Sequence, residues 1–214
     1  MAVDWGPPGQ TSWVTMEDGC DVLLRTWAPD GPAKCAVHIC HGMGDHSWRY
    51  AGLALRLVAE GCVVSAADHR SHGQTGQRAE EEKVKGHRLG HMDLGGADLL
   101  QRVVEDNVVL CQRLPDVPLV VFGHSMGSLL ARLLAAKRPK NLRALVLSGA
   151  PATLPLPLKT AFGPLLALLG RIYGEDGVAP LTSTLTFDKF NKQFAPNSTD
   201  WDWVNSDPAE VQQR

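Results

Sequence analysis

A serine with a glycine two positions to either side, Gly123-His124-Ser125-Met126-Gly127, is the segment whose residue types and spacing point most directly to chemistry. It stands between the apolar run Pro118 to Gly123 (PLVVFG), which reads as a buried strand, and Met126 to Arg138 (MGSLLARLLAAKR), apolar at helical spacing. Glycines there permit a sharp, strained strand-to-helix turn, which presents the Ser125 hydroxyl at the carboxyl end of a sheet as a nucleophile. The same five residues also suit a plain Gly/Ser turn capping a helix. The flanking strand and helix decide for the nucleophile.

A second segment answers the need that an acyl-transfer serine creates. His41-Gly42-Met43-Gly44-Asp45-His46 follows the apolar run Cys35 to Cys40 (CAVHIC) at once, and Gly42 and Gly44 let main-chain N–H groups turn into a cavity. Each such donor on a tetrahedral oxyanion is worth roughly 2.7–4 kcal/mol. The two donors are assigned to the N–H of Met43 and of Met126, the residue after the serine. His41, Gly42, Gly44, Gly123, His124 and Gly127 shape the site, with Asp45 and His46 bracing the loop. His124 lies on the wrong side of the turn to act as a base. His69 with His72, and His87 with His91, have spacings that metals favour, but no cysteine or carboxylate completes a set, so neither a metal nor a cofactor is expected.

The elements that would position these groups are legible around them. TSWVTM and CDVLLRTWA, separated by Glu17-Asp18-Gly19, read as a hairpin. CAVHIC and CVVSAAD (Cys62 to Asp68) are short apolar runs suited to strands buried on both faces, and Tyr50 to Glu60 has helical spacing ending at Gly61. The polar, Gly-rich stretch from His69 to His91 reads as a long surface connection. Ala97 to Leu114 is an amphipathic helix closed by Pro115, and Leu142 to Ser148 (LRALVLS) is a sixth strand. This alternation predicts an α/β fold with a mostly parallel, helix-covered sheet. Residues 1–150 form the core, and residues 151–214, where the alternation stops, form a helical lid.

Composition excludes several classes. With 44% hydrophobic and 21% charged residues, the 214-residue chain has globular proportions. A net charge of −2 and the lack of a basic tract argue against nucleic acid as a partner. The first ten residues lack the basic and apolar regions of a secretory signal. The greasiest stretch, Leu154 to Tyr173, is broken by prolines, glycines and charges, which disfavours a spanning helix. The five cysteines are expected as buried, reduced thiols of a cytoplasmic protein, with disulfides or metal ligation the alternatives.

The ordered motifs His41-Gly42-Met43-Gly44-Asp45-His46 with Arg49-Tyr50, Asp68-His69-Arg70-Ser71-His72-Gly73, and Gly123-His124-Ser125-Met126-Gly127-Ser128 resemble the monoacylglycerol lipase and lysophospholipase branch of the α/β-hydrolases. The likeness runs from about residue 12 onward and includes VLSGA and WVNSDPAEV. One departure is Ser71, where the family usually has glycine. The resemblance implies an α/β-hydrolase fold and a serine esterase cleaving a small lipid ester, such as a monoacylglycerol or lysophospholipid. It also implies a lid open to peripheral membrane contact. A same-fold aminopeptidase would need an acidic group for the substrate amine.

The resemblance also sets an expectation of incompleteness. The fold orders its triad Ser, then Asp or Glu, then His. All eight histidines precede Ser125, and the 89 residues after it hold seven carboxylates and no histidine. The triad Asp and His, and the last two of eight strands, are therefore expected to be absent from this chain, leaving a truncated hydrolase prone to self-association along its exposed sheet edge. The alternative is a non-catalytic binding or interaction protein that keeps the pocket.

Overall fold

The computed structural model describes residue 7, residues 9–84, 87–92, 99–150 and 191–199, and residues 202, 203, 205, 207 and 211, with the side chains of His87, Arg88, His91, Met92 and Leu99 not described. The chain divides into two compact units: residues 5–152, and residues 1–4 with 153–214.

The larger unit begins with a hairpin of β1 (Gln10–Thr15) and β2 (Asp21–Trp27), antiparallel from Gln10 opposite Thr26 to Thr15 opposite Asp21. There follow β3 (Cys35–Cys40), a 3-10 turn (Ser47–Tyr50), α1 (Ala51–Ala59), β4 (Cys62–Ala67), α2 (Gly73–Glu81) and a small ladder of β5 (His87–Arg88) and β6 (His91–Met92). The unit continues with α3 (Leu99–Gln112), β7 (Leu119–His124), α4 (Met126–Ala136) and β8 (Leu142–Ser148). Six strands form one sheet in the order β1-β2-β4-β3-β7-β8, in which β4, β3, β7 and β8 run parallel and β2 joins β4 antiparallel.

The period of two in β3 explains why the sheet is covered on both sides. Ala36 and Cys40 pack with Val103, Val104 and Cys111 of α3 and with Leu130, Ala131 and Leu134 of α4. Val37 and Ile39 face the other way, toward Ala51 and Ala54 of α1. His38 shares the α3 face and is wholly buried there, with Nδ1 2.8 Å from Ser65 Oγ and Nε2 2.8 Å from Asn107 Oδ1. A buried imidazole is tolerable because both nitrogens are satisfied. Burial lowers its pKa below the ordinary histidine value.

Two sequence expectations need correction. Cys35 and Cys62 are not free thiols: they stand opposite each other in the β3/β4 ladder, 4.8 Å apart at Cα, and are joined as a disulfide, while Cys20, Cys40 and Cys111 are free and buried. The stretch from His69 is not a surface connection throughout, because His69, Arg70 and Ser71 are buried and α2 follows. Arg70 can be buried because two carboxylates hold it in paired contacts: Nε and Nη2 on Asp106 at 2.6 and 2.8 Å, Nη1 and Nη2 on Asp18 at 2.5 and 3.0 Å. Burial works against its charge, but the two carboxylates outweigh it and raise the guanidinium pKa. The start expected for α3 at Ala97 lies outside the described residues, and so does most of the lid.

Within the smaller unit the described residues form a 3-10 turn (Lys192–Phe194) closed by Asn191, which donates through Nδ2 to the Thr199 carbonyl at 2.8 Å and accepts the Trp203 N–H at 3.1 Å.

Candidate active site

Ser125 is the hinge between β7 and α4, with φ 51° and ψ −118°, a backbone state that costs a non-glycine residue of order 1–3 kcal/mol. The turn holds because its neighbours over-determine it. Ser125 N–H donates to the Ser148 carbonyl at the end of β8 (2.9 Å), and the Ser125 carbonyl accepts the Ser128 N–H (2.9 Å) and hydroxyl (2.5 Å). The glycines on either side are required by close approach rather than by their torsions. A Cβ on Gly123 would lie 2.3 Å from the Gly127 carbonyl oxygen, and one on Gly127 only 1.9 Å from that of Cys40. The serine turn is thus pressed onto the end of β3.

That contact brings the two glycine-rich segments together. A Cβ on Gly42 would stand 3.3 Å from the Ser125 Cβ and 3.4 Å from the His124 ring. The His124 ring also lies against Gly149, with Cε1 and Nδ1 at 3.4 and 3.6 Å from that residue's Cβ position. His124 is therefore wedged between the ends of β3 and β8. Gly44 takes φ 64°, and Met43, just before it, is 58% exposed. An ester carbonyl could reach this surface from solvent.

The loop after β3 is braced by charge and hydrogen bonds. Asp45 accepts its neighbour's His46 N–H at 2.9 Å and the Tyr50 hydroxyl at 2.9 Å, with Arg49 3.5 Å away. Burial, and then the charge of Asp45, raise the Tyr50 pKa, so the hydroxyl stays a donor. His41 is wholly buried beneath the loop. Its Nδ1 lies 2.8 Å from the Gly42 carbonyl and its Nε2 accepts the His69 N–H at 3.0 Å. The rings of His69 and His72 lie 4.0 and 5.2 Å from its own. Burial first, then the neighbouring His72, lower the His41 pKa to about 4, and burial pushes His69 lower than the ordinary histidine value as well.

Three groups around the site carried too little weight in the sequence reading. Asp68, at the end of β4, accepts Ser47 N–H (2.8 Å), Ser47 Oγ (2.5 Å) and the Gln74 N–H in the first turn of α2 (2.8 Å). Ser47 in turn accepts from Arg25 Nε at 3.0 Å. Ser71 holds φ 61°, the left-handed region in which the family's glycine would be at ease. The available signal was an acid, a histidine and an arginine set directly after an apolar strand, where side chains turn inward. Among the described residues no group of three His, Cys, Asp or Glu side chains is arranged to hold a metal, and no helix is long and apolar enough to cross a membrane.

Comparison with known proteins gives a consistent picture. The profile of the family described as serine aminopeptidase, S33, matches residues 31–214. Human monoglyceride lipase is 32% identical over 193 residues, which cover 89% of this chain and 57% of that protein. The monoacylglycerol lipase of Mycolicibacterium smegmatis is 31% identical over 161 residues, 73% of this chain and 51% of that protein. A lipase solved in its open form superposes with a TM-score of 0.74 at 28% identity, covering 95% of this chain and 64% of that one. A thermostable carboxyl esterase of Bacillus coagulans, in complex with glycerol, gives 0.73 at 27%, with the same coverage. The chain thus spans between about half and two thirds of the length of these relatives.

Proposed function

Because the chain belongs to the serine aminopeptidase S33 family of α/β-hydrolases, we propose that it is a serine carboxylic-ester hydrolase of monoacylglycerol lipase type, with Ser125 as nucleophile and the main-chain N–H groups of Met43 and Met126 as oxyanion donors. The observation that carries this reading is the strained Ser125 turn with the Gly42 loop against its Cβ. In the reaction Ser125 Oγ bonds to the ester carbonyl carbon and the carbonyl electron pair moves onto oxygen, facing the two N–H donors. Collapse breaks the ester C–O bond, and the departing alcohol takes up the proton that Oγ lost. Water then attacks the acyl-serine, the acid leaves, and a proton returns to Oγ.

The names of the relatives, monoglyceride and monoacylglycerol lipases, support a substrate with one fatty acyl chain, a monoacylglycerol; a lysophospholipid rests on the motif resemblance alone. The leucines between Leu154 and Leu169 support an acyl-binding lid with peripheral membrane contact. Self-association is part of the same proposal, supported by β8, which among the described residues pairs only with β7 and leaves Val146 and Leu147 exposed. Sedimentation velocity over a concentration series checks it, with Val146→Lys expected to return the monomer.

One observation favours a second reading, a non-catalytic binding protein. The proton of Ser125 needs an acceptor. His41 cannot serve, since both of its ring nitrogens are engaged. The deciding experiment is reaction with a fluorophosphonate at pH 9, where hydroxide takes the proton, read by intact mass. A single adduct on Ser125, lost in Ser125→Ala, supports the hydrolase; no adduct supports the binding protein.

A further inference from the structure

We infer that His41 is a positioning residue for the oxyanion site, acting through the Gly42–Met43 peptide; the inference rests on the reading of Ser125 as nucleophile. The second histidine of the cluster, His69, sets the protonation of the first. A main-chain N–H can only donate, so the His69 N–H, 3.0 Å from His41 Nε2, requires a lone pair on that nitrogen. A neutral imidazole with Nε2 unprotonated carries its proton on Nδ1. That proton is then donated to the Gly42 carbonyl, 2.8 Å away. The tautomer of His41 is set by a residue 28 positions away, at the end of another strand.

The consequence reaches the site through the planarity of one peptide. Gly42 C=O and Met43 N–H belong to the same trans unit and point in opposite directions. Holding the carbonyl down on the buried His41 ring turns the Met43 N–H away from the ring. Gly42 itself sits against the Ser125 Cβ, so the N–H is presented beside the serine. Glycine at 42 and 44 makes this loop pliable, and a donor is useful for catalysis only when fixed before charge develops. His41 supplies the fixing. The surroundings keep it neutral: burial and the neighbouring His72 outweigh the carboxylates of Asp45 and Asp68 and the hydrogen bond to the Gly42 carbonyl, which act the other way.

Two measurements test the assignment on the intact chain. Long-range ¹H–¹⁵N correlation at pH 7.5, assigned with His41→Asn, should show His41 as the Nδ1–H tautomer; an Nε2–H or doubly protonated ring overturns it. The rate of fluorophosphonate labelling at pH 9 should fall about tenfold or more in His41→Leu, which loses the donor to Gly42. His41→Asn places an N–H at the δ position and no acceptor at the ε position. It should label within about threefold of the natural protein while melting lower, because the His69 N–H is left buried without a partner. A folded His41→Leu that labels at the natural rate overturns the positioning role alone. Natural protein that forms no Ser125 adduct overturns the nucleophile reading, and the role of His41 falls with it, while the tautomer result tells the two failures apart.

Discussion

Ser125 is held in place by what its neighbours lack. Gly127 has no room for a methyl group, since its Cβ position falls 1.9 Å from the Cys40 carbonyl oxygen and 2.5 Å from its carbon, both main-chain atoms that cannot rotate away. Gly127→Ala must therefore separate β3 from the serine turn or fail to fold, with an expected loss of 3 kcal/mol or more, on the order of the largest single-site effects. Urea unfolding would read it, and a loss of under about 1 kcal/mol would show that the two segments are not pressed together. The spacing of these glycines made the turn legible in sequence. The tautomer of His41 was not legible, because it is dictated by a main-chain N–H at position 69 that sequence proximity does not suggest.

Among the elements, the first hairpin and α3 are joined by one side chain. Arg70 reaches Asp18 in the β1–β2 turn and Asp106 on α3, and is itself 1% exposed. Arg70→Met would leave Asp106 buried with its carboxylate unpaired, a change that costs about 3–5 kcal/mol. Arg70→Lys should recover little, because one ammonium cannot reproduce four hydrogen bonds to two carboxylates. Hydrogen exchange in β1 and β2 should accelerate in either variant, and an unchanged hairpin would show that the clamp is not what holds it. Six strands and the helices α1, α3 and α4 were visible from their apolar runs, because alternation or helical spacing marks each one. The helix α2 was missed, since Gly73 to Glu81 has Ala79 as its one apolar side chain and its order comes from Asp68 accepting the Gln74 N–H and from Arg70 anchoring the preceding loop.

For the whole molecule, the same burial that organises the site sets its response to acid. His38, His41 and His69 are fully buried, and each has its pKa lowered by that burial, His41 to about 4. In the unfolded chain these side chains take up protons near pH 6.5, while the folded chain refuses them until much lower. Stability is therefore complete above pH 6.5 and falls as the pH drops toward 4, because below 6.5 the unfolded state binds more protons. From His41 alone the loss is about 2 kcal/mol by pH 5, and His38 and His69 add in the same direction. Asp18, whose pKa is lowered by its hydrogen bond to Arg70, contributes only below the ordinary carboxylate range and does not alter this window. Urea midpoints at pH 7.5, 6 and 5 should fall in sequence with an unchanged slope. A midpoint at pH 5 equal to that at pH 7.5 would mean that the imidazoles are open to protons in the folded state, and that the stack of His41, His69 and His72 is not closed as the structure has it.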